Sequence, residues 1–158
     1  MESAYEAKKY EDDIYKSWEE SGVFKAKVNK DKEPFVISMP PPNATGTLHL
    51  GHATFLALQD IMIRYNRMKG KEALWLPGTD HAAIATQSVV ERKLQEKGIK
   101  NPRTELGREK LLDEIRSFVE DSKDIIRNQV RKMGASCDWS REKYTLDEDM
   151  NFAVNTLF

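Results

Sequence analysis

Two histidines three positions apart, His49 and His52, bracket Gly51 in the run H-L-G-H. On a helix this spacing turns both imidazoles to one face. There each ring can donate a hydrogen bond to a phosphate oxygen and strengthen it as negative charge builds during attack on an α-phosphate. Gly51 removes a side chain between them, which lets a flat base pack on the backbone. A bare H-x-G-H arises by chance often enough to be weak. Two other readings stand beside it: a metal pair with His81 or Asp80 as third ligand, and ordinary solvated or core histidines. A second polar cluster surrounds Asp80, a carboxylate suited to a cationic ligand and equally suited to capping a helix.

The elements that must carry these groups are set by the flanking pattern. Phe35 to Met39 reads as a buried strand, and Pro40, Pro41 and Pro42 end it and stiffen the loop beyond. Asn43, Thr45 and Gly46 form a tight turn, and Gly46 lets the loop approach a ligand closely. A helix is expected to open near Thr47, with His49, Gly51 and His52 in its first turns, and to run to residue 69 before Gly70. Its free N–H groups and dipole suit a phosphate. Phe55, Leu58, Met62 and Tyr65 are read as its core-facing stripe. Ala73 to Leu76 is a second strand broken by Pro77 and Gly78, with Asp80 ahead of a helix over residues 82–97. Strand, loop and helix thus occur twice, which implies parallel pairing and right-handed crossover. Ligands of such sheets collect past the carboxyl ends of strands, so the clusters at 43–52 and 78–81 are expected to face one pocket.

Around this core, residues 3–21 read as a helix capped by Ser3 with Glu6, docking Tyr10, Ile14 and Trp18 and ended by Gly22. Residues 25–34 form an exposed connection. Thr104 is placed to cap a long helix to Met133, with Gly134 as its stop. Trp139 anchors the irregular G-A-S-C-D-W-S turn, Tyr144 and Thr145 form a short extended piece, and Asp147 caps a last helix. Phe152, Val154, Leu157 and Phe158 on that helix have little to cover them, so the chain is expected to be cut here.

The 158 residues are 39% hydrophobic and 32% charged, as in folded soluble domains. Lys plus Arg is 25 against 26 Asp plus Glu, a net charge of −1, which argues against a surface built to coat nucleic acid. One cysteine, Cys137, rules out a disulfide framework within the chain and fits a reducing cytoplasm; it reads as a small buried residue. No secretory segment and no bilayer-length apolar run occurs.

The run P-P-P-N-A-T-G-T-L-H-L-G-H, residues 40–52, resembles the His-Ile-Gly-His signature of class I aminoacyl-tRNA synthetases, with Leu50 in place of isoleucine. W-L-P-G-T-D-H-A-A-I-A-T-Q, residues 75–87, and G-A-S-C-D-W-S-R-E, residues 134–142, are similar to blocks of the valyl-tRNA synthetases in the same order. The resemblance implies an α/β fold: the first half of a Rossmann-type parallel-sheet nucleotide-binding catalytic domain, truncated. An N-terminal helical lead-in would span residues 1–32 and the half-domain residues 33–158. It implies that His49 and His52 are catalytic contacts to ATP phosphates, and that Thr45, Gly46 and Gly51 complete the ATP site. Pro41, Asn43 and Asp80 would bind the amino acid, with Asp80 on its ammonium group. ATP with Mg2+ enters as substrate, and no protein-bound metal is expected. L-valine and tRNA(Val) are the implied partners of a monomeric, cytoplasmic parent enzyme without membrane contact. Lys132-Met133-Gly134-Ala135-Ser136 lacks the fourth-position lysine of the family's Lys-Met-Ser-Lys-Ser signature and is not a match to it. With that signature, the editing insertion and the anticodon-binding region absent, the chain alone is expected to bind ATP or valine weakly and to charge little or no tRNA. The alternatives are a non-catalytic nucleotide-binding half-domain and an isoleucyl- or leucyl-type relative.

Overall fold

The repeated strand and helix unit is present in the computed structural model, which describes residues 5–158. β1 (Pro34–Ser38) and β2 (Glu72–Leu76) pair in parallel, Phe35 beside Ala73 and Ile37 beside Trp75, with the 19-residue helix α2 (Leu50–Met68) between them in sequence. The parallel pairing is the one the alternation of strands and helices requires. The chain divides into two compact units.

The first gathers Met1–Met39, His49–Pro77 and Asn128–Glu142. Trp75, Leu56, Ile63 and Cys137 are its most deeply buried apolar residues. The apolar run predicts a buried β1, but the strand alternates between exposed and half-buried, with Val36 58% exposed. The inward stripe expected on α2 is also out of phase. Leu56 and Ile63 are buried, whereas Leu58, Met62 and Tyr65 are 58%, 50% and 57% exposed. The cause is a polar inner face. Gln59 accepts the indole N–H of Trp75 at 2.9 Å, Asp60 accepts the backbone N–H of Ser136 at 3.0 Å, and Arg67 donates to Ser136 Oγ at 2.6 Å. Hydrophobic periodicity assigns such residues to solvent, so it rotates the helix the wrong way.

Helix α1 (Ala7–Ser21) ends as expected at Gly22, whose φ of +70° suits glycine. The Ser3 cap lies outside the described residues, and Glu6 at the N-cap position makes no side-chain cap bond. Tyr10, Ile14 and Trp18 are only partly covered; the buried residue is Tyr15, off that stripe. Its hydroxyl donates to Ala135 O at 2.7 Å and accepts the Trp139 indole N–H at 2.8 Å. Arg131 binds Glu19 through two nitrogens at 3.1 and 3.0 Å and lies over the Trp139 ring. Of the three tryptophans expected from the sequence to be core anchors, Trp75 is fully buried and Trp139 is tied to Tyr15, whereas Trp18 is 37% exposed.

The second unit comprises Pro40–Leu48, Gly78–Arg127 and Lys143–Phe158. Val90, Leu94 and Leu111 form its core, with Ile99, Leu106, Ile115 and Phe118 packed against them. Helix α3 (Ala83–Glu96) supplies the first two. The long helix expected from Thr104 is two: α4 (Pro102–Glu105), with Pro102 in its first turn, and α5 (Gly107–Lys132). Thr104 lies inside α4, and Gly107 at φ +73° makes the break. β3 (Gly78–Thr79) and β4 (Lys143–Tyr144) pair in parallel, and α6 (Glu148–Leu157) comes after them. Asp147 sits at the N-cap position of α6, but its carboxylate takes the Tyr144 N–H at 2.8 Å instead of an α6 amide. Phe152, Val154 and Leu157 are 74%, 54% and 84% exposed, uncovered as their pattern indicates.

Candidate functional site

In the first unit, α2 begins at Leu50, three residues later than the sequence suggests. The prolines and the extended backbone after them hold the chain out of the helix until His49, which is the N-cap with φ −117° and ψ 174°. The two histidines cap this end reciprocally. His49 Nδ1 accepts the N–H of Gly51 at 3.1 Å, and His52 Nδ1 accepts the N–H of His49 at 3.1 Å. An Nδ1 atom that accepts carries no proton, so each neutral ring is the Nε2–H tautomer. The ring centroids lie 3.8 Å apart, tilted by 41°. Burial lowers the pKa of His52 below its ordinary value, and the nearby His49 adds to the effect. Both rings thus offer Nε2–H donors beside the positive end of a helix, an arrangement matched to an anion. Gly51 has a reason beyond room for a base: a Cβ there would stand 2.9 Å from His49 Cε1.

In the second unit, three short pieces run side by side. Asn43 and Asp80 form a parallel bridge, in which Asp80 N donates to Pro42 O and Ala44 N to Asp80 O, each at 2.8 Å. On the other side Thr145 N donates to Thr79 O at 3.2 Å. Gly78 is needed for this packing, since a Cβ there would meet Lys143 O at 2.9 Å and Pro41 Cβ at 3.9 Å. Pro41, Asn43 and Asp80 are therefore neighbours within one unit, with Thr45 and Gly46 on the same loop; Gly46 has φ +136°. Asp80 does not cap α3 in the expected way. Ala82 is the N-cap residue, with φ 48°, and Ala83 comes next at φ 27°. These two strained residues displace the helix start, and Asp80 Oδ1 takes only the Ala82 N–H, at 3.2 Å. Its side chain turns instead to the adjacent His81 and to Thr145, and Thr145 is a partner that the spacing of the sequence does not bring to Asp80.

Residues 13–158 match the family described as tRNA synthetases class I (I, L, M and V). The chain belongs to the class I tRNA synthetases. It is 54% identical over 148 residues to the chloroplastic/mitochondrial valine–tRNA ligase 2 of Arabidopsis thaliana, covering 94% of this chain and 15% of that one. It is 51% identical over its whole length to the valine–tRNA ligase of Clostridium acetobutylicum and 50% to that of Caulobacter vibrioides, covering 18% and 17% of those chains. This synthetase chain therefore spans 15–18% of the length of these relatives. Its fold is similar to that of the agnB2 LeuRS of Agrobacterium radiobacter K84, solved as a ternary complex with tRNA and LeuAMS. The TM-score is 0.77 at 18% identity, over 98% of this chain and 18% of that one.

Other polar groups of this synthetase chain serve its structure. Cys137 is fully buried, which pushes its thiol up to about 12 and leaves it unreactive. In the 132–136 stretch, Gly134 closes α5 at φ +72° and Ser136 ties Asp60 to Arg67. Among the described residues, no group of three or more His, Cys, Asp or Glu is placed to hold a metal, and no helix is long and apolar enough to cross a membrane.

Proposed function

We propose that the chain is part of a valine–tRNA ligase, which activates L-valine with ATP and passes it to tRNA(Val). The observation that carries this is the 50–54% identity to valine–tRNA ligases across nearly the whole chain. In the first step the valine carboxylate attacks the α-phosphorus of ATP, a carboxyl–phosphate anhydride forms, and pyrophosphate leaves. Charge accumulates on the α-phosphoryl oxygens as it does so. His49 and His52 are suited to this through their Nε2–H groups, because capping fixes the tautomers before substrate arrives and no reorganisation is needed. Gly51 leaves room for the adenine, and Thr45 and Gly46 line the nucleotide. Pro41 forms part of the apolar wall for the valine side chain, Asn43 lies beside it, and Asp80 pairs with the ammonium group. Mg2+ enters with ATP as part of the substrate. In the second step the valyl group moves to tRNA and AMP leaves. A monomeric enzyme in the cytoplasm completes the proposal. The test is isotopic ATP–pyrophosphate exchange by the protein encoded by the complete reading frame carrying this sequence, with valine, isoleucine and leucine in turn. Exchange is expected with valine; exchange driven by isoleucine or leucine but not valine would refute the assignment.

A further inference from the structure

Thr145 Oγ1 sits at the centre of a three-residue cluster in the second unit. It is 3.0 Å from Asp80 Oδ1, 2.9 Å from the backbone N of His81 and 2.6 Å from His81 Nδ1. A hydroxyl has one proton to give and two lone pairs. A carboxylate has no proton, so the hydroxyl proton goes to Asp80. Both lone pairs then accept, one from the His81 backbone N–H and the other from the His81 ring. The ring must therefore carry its proton on Nδ1. The opposite arrangement, with the hydroxyl donating to Nδ1, would set a bare oxygen lone pair against the carboxylate at 3.0 Å. Only one assignment uses all three hydroxyl valences.

We infer that Thr145 is a positioning residue that fixes His81 as its Nδ1–H tautomer and orients Asp80, so that the pair presents only acceptors to the primary ammonium group of the amino-acid substrate. This rests on the amino-acid role proposed above for Asp80. The Thr145, His81 and Ala82 contacts to Asp80 are all made by Oδ1, and the Asp80 and His81 side chains are each 34% exposed. His81 Nε2 carries the ring lone pair, the reverse of His49 and His52, whose exposed nitrogens donate. An ammonium group, with three donors and no acceptor, is complementary to the first arrangement and a phosphate to the second. The strained Ala82 and Ala83 backbone holds Asp80 and His81 in this place where a regular helix start would have used Asp80 as a cap.

The chain has three histidines, so their tautomers can be read separately by long-range 1H–15N NMR on the 158-residue chain. The expected spectrum has His81 as Nδ1–H and His49 and His52 as Nε2–H. Thr145→Ser keeps this pattern, while Thr145→Val shifts His81 toward Nε2–H and leaves the other two unchanged. In pyrophosphate exchange by the protein from the complete reading frame, Thr145→Val raises the KM for the amino acid about tenfold, the size expected for one lost hydrogen bond to a charged group. It leaves the KM for ATP unchanged, and Thr145→Ser restores the wild-type value. An Nε2–H signature at His81 in the wild type, or a tautomer indifferent to Thr145→Val, overturns the inference. An unchanged amino-acid KM overturns it as well. Correct tautomers with exchange driven by an amino acid other than valine, its KM raised by Thr145→Val, keep the inference and remove the valine assignment.

Discussion

The ring of His49 folds over Gly51, accepting its N–H at 3.1 Å and occupying the space that a Cβ at position 51 would need. The glycine is thus part of how the histidine is aimed, and the backbone amide is part of how its tautomer is chosen. Gly51→Ala tests this pairing. Alanine favours the helix by about 1 kcal/mol over glycine, while loss of the His49 cap costs about 0.5–2 kcal/mol. The two nearly cancel, so the unfolding midpoint should move little. The His49 ring, however, is driven off its cap, and its NMR spectrum should lose the fixed Nε2–H signature.

Acid should loosen the start of α2. The pKa of His52 is lowered in the folded chain, first by burial and then by His49, relative to an ordinary value of 6.5. Below that value the unfolded chain binds the proton more readily than the folded one. The stabilising contribution is therefore complete above pH 6.5 and is lost as pH falls through the lowered folded-state value. A proton on Nδ1 also removes the acceptor for the His49 N–H. Titration of the His52 Cε1–H resonance should give a midpoint below 6.5, and loss of helical signal at α2 should accompany it.

Asp60 holds α2 to the turn after α5. It accepts from Ser136 N and Oγ at 3.0 and 2.5 Å and from Arg64 Nε at 2.7 Å. Asp60→Ala would leave the fully buried Ser136 with its N–H and its hydroxyl proton lacking an acceptor, while Oγ still accepts from Arg67. A loss of about 2–4 kcal/mol is expected, measured by urea unfolding with the slope unchanged.

Cys137 should be silent to thiol reagents. With its thiol pushed up to about 12 by burial, thiolate is scarce at pH 8, and the sulfur is enclosed. Aromatic disulfide reagents should react with no thiol in the native chain and with one after unfolding.

Much of this architecture is visible in the sequence because it stems from local chemistry. Gly22 and Gly134 terminate helices with left-handed backbone, prolines end β1, and alternating strands and helices impose parallel pairing. The histidine-bearing helix start is also legible, since both residues lie on one short segment. Contacts that depend on distant chain are not legible in this way. The inner face of α2 carries Gln59, Asp60 and Arg67 because Trp75 and Ser136 offer them partners, which no window around α2 contains. Thr145 lies 65 residues from Asp80, and nothing in its neighbourhood marks it as a partner. Gly107 is hidden as a break because a single glycine is tolerated inside a helix, and nothing local marks its left-handed backbone.

The role proposed for the His49 and His52 rings is that of preset Nε2–H donors to the nucleotide phosphates. His49→Asn separates donation from capping, because the asparagine oxygen can still accept the Gly51 N–H while the outward donor is gone. The decisive measurement is kcat for valine-dependent ATP–pyrophosphate exchange in wild type and His49→Asn, on the protein from the complete reading frame, with thermal stability recorded alongside. Unchanged stability and a fall in kcat of about a hundredfold or more are expected. A variant that exchanges at the wild-type rate with its fold intact would contradict that role.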